Sequence, residues 1–263
     1  MVDKFYPATN DVVFKAVFGS STKILMGFLN QVVGLSIKSP DDISLLNPEI
    51  PIEFTDTKLS RLDIRVKTGE EQIDIEMQVE NVDDYVTRSV VYESKMICDD
   101  IMRGKDYNTL HKAITINILN FDLFGCSEYQ STFIPMEVNR HEVLSDKWQV
   151  MFFELNKLPD DKLTDKEKWL LLLKSGKEGI DMFKNSDNEY IRECADKISY
   201  VNTEESLRVQ AELRELSIID ERSRLSKAMR DGRAEGRAEG IAELVSKWKA
   251  KGFSDEQIQG LLT

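Results

Sequence analysis

Two neighbouring stretches near the middle of the chain alternate strictly between apolar and polar residues. The apolar positions are Leu, Ile and Val in residues 62–66, and Ile, Ile, Met and Val in residues 73–79. Successive side chains of a β-strand point to opposite faces of its sheet. The pattern therefore predicts two strands, each with one apolar and one polar face, and the Thr-Gly-Glu-Glu sequence of residues 68–71 predicts a hairpin turn between them.

Apolar residues at helical spacing predict helices on both sides of this hairpin. Two helices are expected within residues 1–40, and another is expected in residues 83–104. From about residue 160 onward the pattern is helical and highly charged. Further strands, the first of them apolar and β-branched throughout, are predicted at residues 113–121, 131–138 and 147–155.

The C-terminal part of the chain carries a short repeat. Residues 231–243 repeat the sequence Gly-Arg-Ala-Glu with a period of four, and charges at this spacing support an exposed helix with ion pairs. The glycines at 232, 236 and 240 leave two readings open: close approach of helices from two protomers, or a solvated helix in which each glycine costs about 1 kcal/mol relative to alanine. Ser254 and Gln257 predict a capping box in a terminal helical hairpin.

Composition places the chain among globular proteins. Of its 263 residues, 41% are hydrophobic and 31% are charged. No apolar run approaches the roughly 18 residues of a membrane helix, and the N-terminus lacks the features of a secretory signal. The three cysteines are widely spaced and match neither a disulfide framework nor a zinc site. We therefore expect a cytoplasmic protein that has no membrane partner.

The net charge of −12 is evidence against nucleic-acid binding, because such proteins usually have a basic surface. Net charge acts mainly on solubility and long-range steering, however, whereas local charges decide a site. A metal-dependent nuclease must also gather carboxylates at its active site. The acidic composition therefore weakens the case for a DNA-binding enzyme without excluding it.

The predicted hairpin brings two acids together. Counting outward from the turn places Asp63 opposite Glu76 on the polar face, within a residue of register error. Facing like charges destabilise a hairpin, so a sequence that keeps them indicates a cation, and hard oxygen ligands favour Mg²⁺ or Mn²⁺. Gln78 shares this face and could position an attacking water. The alternative is a solvent-exposed polar face on a sheet covered on one side, and alternation alone fits that alternative better.

The spacing of Asp63 and Glu76-Met77-Gln78 resembles the signature of PD-(D/E)XK nucleases, which have an acid on one strand and (D/E)-X-K on the next. The chain as a whole is similar to the Rpn family of recombination-promoting nucleases, also described as transposases of that superfamily. The resemblance covers nearly the whole chain. It is carried by residues 9–19, 62–64, 75–78, 88–92 and 104–107, by the Gly-Arg-Ala-Glu repeats, and by the closing Lys-Gly-Phe-Ser-Asp-Glu-Gln-Ile segment.

The resemblance implies an α/β fold, with a restriction-endonuclease-like α/β/α core, a mixed central sheet and a helical C-terminal region. Residues 1–158 would form the nuclease core. Residues 159–225 would be a helical region that packs on the core or extends from it. Residues 226–263 would be a charged helical tail that ends in a helical hairpin.

The family's metal ligands carry over onto the hairpin. Asp63 and Glu76 would bind Mg²⁺, which Mn²⁺ could replace, through their side chains, and Met77 would bind it through its backbone carbonyl. Gln78 stands where the superfamily often has lysine. Its amide would orient water but cannot supply positive charge, so Lys58 and Arg88 are candidates for the missing cation.

Three further residues are candidates for the site, each with an alternative reading. Asp11 is either an additional acidic metal ligand or a capping acid at the start of the first helix. Arg88 and Tyr92, four residues apart on one helix, either bind phosphate and stack on a base or form an ordinary surface pair.

The leading hypothesis is a Mg²⁺-dependent endonuclease that hydrolyses phosphodiester bonds in double-stranded DNA and is linked to recombination or a mobile element. One alternative is a catalytically degenerate nuclease fold that serves as a DNA-binding or assembly module. A nuclease acting on RNA is another, although the sequence has no aromatic-rich platform for single-stranded RNA. Many superfamily nucleases pair protomers to cut two strands, so a homodimer formed through the charged C-terminal region is expected.

Overall fold

A six-stranded mixed sheet lies at the centre of the structure, a computed structural model that describes residues 4–46, 63–81, 84–102 and 109–262. The strands occur in the order β1-β2-β3-β4-β6-β5. In chain order they are β1 (Ser44–Leu46), β2 (Ile64–Lys67), β3 (Glu71–Gln78), β4 (Lys112–Leu119), β5 (Gln130–Phe133) and β6 (Trp148–Glu154).

The strand directions follow from how the strands are connected. β2 and β3 are antiparallel and joined by the predicted tight turn, whereas β4 pairs in parallel with both β3 and β6. Parallel neighbours need long connections, and the first of these carries a helix. The predicted hairpin and the three later strands are confirmed, although β5 is shorter than its pattern indicates. The short edge strand β1 was not predicted from the sequence.

Eight helices are present in the described part of the chain. The two predicted N-terminal helices are confirmed, and the second continues into a π-helical turn at Leu29–Val33 that ends at Gly34, whose φ of 86° is left-handed. The helices are α1 (Asp11–Phe18), α2 (Thr22–Phe28), α3 (Tyr85–Met102), α4 (Asp165–Lys174), α5 (Lys177–Phe183), α6 (Glu189–Thr203), α7 (Glu205–Ala250) and α8 (Asp255–Leu262).

Helices cover both faces of the sheet. The apolar face, which includes Ile64, Ile75 and Ile116, packs in one core with buried residues of α1, α2, α4, α5 and α6. The opposite face is covered by α3, whose Ser89 and Glu93 side chains hydrogen bond to side chains of β4. The α/β/α arrangement and the helical C-terminal region are thus confirmed.

Contacts that are distant in sequence hold the N-terminal segment. The backbone N–H of Tyr6 donates to Asn202 Oδ1 at 2.7 Å, and Asn202 Nδ2 donates back to the Tyr6 carbonyl at 2.9 Å. Asn10 accepts a hydrogen bond from the Val12 N–H and donates to the carbonyl of Ala211 at 3.1 Å. One side chain therefore caps α1 and joins it to the beginning of α7.

The chain divides into two compact units, residues 1–212 and 213–263. In the second unit, the Gly-Arg-Ala-Glu repeats lie on the exposed, helical part of α7, as predicted. Ser254 and Gln257 form the predicted capping box before α8. The functional boundaries near residues 158 and 225 stay predictions.

None of the described helices is by itself long and apolar enough to span a membrane; one pair, Asp11–Phe18 with Thr22–Val33, meets the length and composition criteria jointly but is bent by 104°.

Two glycines in helices should respond oppositely to alanine. A Cβ at Gly27 would meet the Tyr190 Cβ at 2.5 Å, whereas no atom lies within 4 Å of a Cβ at Gly236. We expect Gly27→Ala to destabilise the fold by about 1–3 kcal/mol in urea denaturation, because α2 and α6 must separate. Gly236→Ala is the control, and it should stabilise α7 by up to about 1 kcal/mol and slow local amide exchange. An unchanged urea midpoint for Gly27→Ala would contradict the packing of α2 against α6.

Candidate active site

The register of β2 and β3 brings the two predicted acids together. Ile64 pairs with Ile75, so Asp63, immediately before β2, faces Glu76 as predicted. The Asp63 N–H donates to Glu76 Oε1 at 3.0 Å, and the Met77 N–H donates to Asp63 Oδ2 at 3.0 Å. The Glu76 carboxylate is therefore held by the backbone of Asp63, and the Asp63 carboxylate by the backbone of the residue after Glu76, which fixes the two acids relative to each other.

The polar face of the hairpin is buried, which excludes the alternative of a solvent-exposed strand face. Glu76 is 7% exposed and Asp74 is 0% exposed. Helix α3 covers this face and contributes polar side chains of its own, so the acids lie in a polar layer between helix and sheet. The buried polar residues of this layer are Arg65, Gln72, Asp74, Glu76, Ser89, Glu93, Thr115 and Asn117.

Burial in this layer disfavours the charged form of its carboxyl groups. Burial, followed by the charge of Asp63, raises the pKa of Glu76 to about 8. Burial also raises the pKa of Asp74 well above its usual range, with Glu76 and Asp63 adding to the effect. Neither carboxylate oxygen of Asp74 has a hydrogen-bond partner among the described residues. A buried carboxylate in this state needs either a proton or a nearby cation.

Lys15 supplies one positive charge to the acid pair. Its Nζ lies 2.7 Å from Asp63 Oδ1 and 4.0 Å from Asp11 Oδ2. Lys15 was not predicted from the sequence as a site residue. The available signal was the four-residue spacing of Asp11 and Lys15, which places both on one face of α1. Nothing in that spacing shows that this face meets the hairpin.

Asn10, not Asp11, is the N-cap of α1, since its side chain accepts the hydrogen bond from the Val12 N–H. Asp11 is the first residue of the helix, so the alternative reading of it as the capping residue is wrong. Its position beside Lys15 brings it close to the pair, and its role as a metal ligand stays a prediction.

Arg88 and Tyr92 form a pair on α3, as their spacing indicates. Arg88 Nη2 donates to the Tyr92 hydroxyl at 3.0 Å, and its guanidinium lies 5.7 Å from the Tyr92 ring centre and 6.0 Å from that of Tyr85. Tyr92 is buried whereas Arg88 is exposed. Arg88 also acts electrostatically on Glu76, lowering the pKa of that carboxyl. It is therefore the member of the pair that can meet a ligand near the acids.

The predicted cation Lys58 lies outside the described residues, as does the segment 104–107. Gln78 is half-buried at the C-terminal end of β3 and shares the polar face with Glu76. The structure thus brings Asp63, Glu76 and Lys15 together, and places Gln78 on the face that Glu76 occupies.

The donor set fits a hard divalent cation. Asp63 and Glu76 offer carboxylate oxygens and Met77 a backbone carbonyl, which are ligand types that Mg²⁺ and Mn²⁺ accept. Burial raises the pKa of Glu76, and a cation bound beside Asp63 would favour the ionised form of that carboxyl. Within the described ranges, no group of three or more His, Cys, Asp or Glu side chains is arranged to hold a metal. A metal here would depend on the backbone carbonyl and water for its remaining ligands.

A mixed sheet with helices on both faces, and two acids facing each other across an antiparallel strand pair, defines an α/β/α fold of the restriction-endonuclease type. The chain belongs to the PD-(D/E)XK nuclease family transposases, whose family profile matches residues 8–228. The match extends from the segment before α1 into α7, which confirms the family resemblance seen in the sequence. No curated protein and no solved structure matches the chain.

The buried acids should make the metal-free protein less stable as pH rises. Glu76 binds its proton up to about pH 8 when folded, against an ordinary pKa of 4.5. Between these values the folded state holds more protons than the unfolded state, so its stability is present at low pH and lost as pH rises. We expect Glu76→Gln to weaken this dependence by up to about 1.4 kcal/mol per pH unit, measured by urea denaturation in EDTA.

Glu93, whose pKa burial raises to about 7, and Asp74 act in the same direction and would leave some pH dependence in the variant. Glu128→Gln, at an exposed position, is the control and should keep the wild-type slope. The same slope in Glu76→Gln as in the wild type would show that Glu76 is not protonated in this way.

Proposed function

We propose that the protein is a Mg²⁺-dependent endonuclease that hydrolyses phosphodiester bonds in double-stranded DNA, in recombination or as part of a mobile element. Mn²⁺ can replace Mg²⁺ in this proposal. The observation that carries it is the buried pair of Asp63 and Glu76, facing each other across β2 and β3 in a chain of a nuclease and transposase family.

Asp63, Glu76 and the Met77 carbonyl would hold the ion, and Asp11 is a further candidate ligand. The bound ion would lower the pKa of a coordinated water and offset charge on the phosphate. Glu76 must lose its proton to act as a ligand. Because its pKa is raised, protons and the metal ion would compete for this carboxylate. The Gln78 amide would orient the attacking water.

Positive side chains near the acids would bind the DNA despite the net charge of −12. Arg88 would bind backbone phosphate, and Tyr92 would hold the guanidinium in place through its hydroxyl rather than stack on a base, because the ring is buried. Lys58 remains a candidate phosphate ligand from the sequence.

Cleavage of supercoiled plasmid tests the proposal. We expect Mg²⁺- or Mn²⁺-dependent cleavage that falls at least 100-fold in Asp63→Ala, because the variant removes one side-chain ligand and the partner of Glu76. Binding of duplex DNA in Ca²⁺ should persist in that variant, whereas Arg88→Ala should weaken it by about 1–3 kcal/mol. Asp160→Ala, at an exposed position, is the control. Cleavage that survives in Asp63→Ala would refute the site, and faster cleavage of RNA than of DNA would refute the substrate.

The alternative is a degenerate nuclease fold that binds DNA or assembles with other proteins. The observations that favour it are the neutral Gln78 in the lysine position and the Lys15 ammonium already paired with Asp63. It predicts no heat of binding and no thermal shift with Mg²⁺ or Mn²⁺.

We also propose that the protein forms a homodimer in the cytoplasm through residues 213–263. In support, α7 exposes several large apolar side chains: Leu213, Leu216, Ile219, Leu225 and Met229.

Light scattering at micromolar concentration should give twice the chain mass of 30.2 kDa. Replacing Leu225 and Met229 by Glu should reduce that mass to the monomer value, whereas Arg233→Glu is a charge control that should not. A monomeric wild type would contradict the dimer.

A further inference from the structure

The neutral Gln78 leaves the acid pair without the cation that its strand position would otherwise supply. Charge on a phosphoryl group in the transition state is best offset by a cation held in place beforehand. Within the described ranges, the ammonium that lies against Asp63 is that of Lys15, at 2.7 Å from Oδ1. An ammonium in this position can act only as a counter-ion to Asp63, or it can also contact the reacting phosphate.

Lys15 approaches the pair from the solvent side. Its side chain is 37% exposed, while that of Asp63 is 14% exposed. The other oxygen of Asp63 is occupied by the Met77 N–H, so the ammonium and the strand hold opposite sides of one carboxylate. A phosphate that reaches the acids from solvent would therefore meet the Lys15 ammonium next to them.

Helix α1 packs against the core and the start of the hairpin. Its residues Val13, Phe14, Val17 and Phe18 are buried in the core. A Cβ at Gly19, just after the helix, would lie 3.6 Å from Ile64 Cδ1 at the start of β2. The Asn10 cap fixes the other end of the helix. Lys15 thus extends from a support whose position relative to Asp63 is set by packing.

Among the described residues, Arg88 also acts electrostatically on Glu76, but its surroundings are different. Its guanidinium donates to Tyr92 and lies over two tyrosine rings on α3, the helix on the opposite face from α1. The structure places Lys15, not Arg88, in direct contact with a candidate metal ligand.

We propose that Lys15 replaces the strand lysine of the nuclease motif and contacts the scissile phosphate during hydrolysis; this rests on the function proposed above. In that reaction, water adds to phosphorus, the bond from phosphorus to the leaving oxygen breaks, and the leaving oxygen takes a proton that originates from the water. Lys15 offsets the negative charge of the phosphoryl oxygens and takes no part in the proton transfer.

The test uses the full-length chain and compares Lys15→Met with the double variant Lys15→Met/Gln78→Lys. We expect Lys15→Met to lower plasmid cleavage 100- to 1,000-fold at saturating Mn²⁺, the loss typical for one transition-state contact. Its affinity for Ca²⁺ in calorimetry should be unchanged or higher, because the ammonium no longer competes for Asp63. The double variant should recover at least tenfold, because it returns a cation to the strand.

Lys23→Met is the matched control. Lys23 also pairs with a carboxylate, Glu193, at 2.6 Å, but between α2 and α6. Its loss should leave cleavage and Ca²⁺ binding unchanged. Thermal melting of every variant gives a measure of folding that is independent of activity.

Two outcomes would overturn the role of Lys15. Wild-type cleavage rates in Lys15→Met, with tighter Ca²⁺ binding, would make Lys15 a counter-ion that the metal displaces. Loss of Ca²⁺ binding and a lower melting temperature together with loss of cleavage would make it structural. In both cases the wild type cleaves and Asp63→Ala does not. A wild type that fails to cleave would instead overturn the proposed function, and the role of Lys15 with it.

Discussion

The rest of the structure depends on the burial of carboxylates between the sheet and α3. A carboxylate removed from water must be protonated, hydrogen bonded or paired with a cation. Glu93 meets this requirement by accepting from the Thr115 hydroxyl at 2.5 Å and from the Gln149 N–H at 3.1 Å, which also attaches α3 to β4 and β6. Glu76 meets it in part through the Asp63 N–H. Asp74, whose oxygens have no hydrogen-bond partner among the described residues, meets it through burial that raises its pKa and favours the protonated form.

The two layers of helices have different roles. The apolar core under α1, α2 and α4–α6 holds the sheet in place, while the polar layer under α3 holds the buried acids. Asn117 illustrates the difference: it accepts from the Tyr85 and Ser89 hydroxyls and donates to the Met151 carbonyl, so one amide links helix, strand and strand. Few arrangements of helix and sheet satisfy all the hydrogen bonds of such a layer. The layer therefore fixes the position of α3, and of Arg88 on that helix, relative to the acids.

Local patterns predicted what depends on local geometry. The alternation of apolar and polar residues predicted the two strands and their faces. The turn between the strands predicted the register that pairs Asp63 with Glu76. The spacing of Ser254 and Gln257 predicted the start of the last helix. The cover over the polar face could not be predicted in this way, because it depends on where α3 docks and not on the strand sequence. Lys15 was missed for the same reason: a helix periodicity shows which residues share a face but not which strand that face meets.

The hydrogen bond between Asn10 and Ala211 has a consequence for how the chain is made. The residue that caps the helix carrying Lys15 is bound to a residue 201 positions later, and Tyr6 is bound by Asn202 over nearly the same distance. Contacts of such long range form late, because the intervening chain must first be ordered. A nascent chain cannot form these contacts until Asn202 and Ala211 have been synthesised. The support that these contacts give to α1, and through it to Lys15, therefore becomes available only once translation has reached α7.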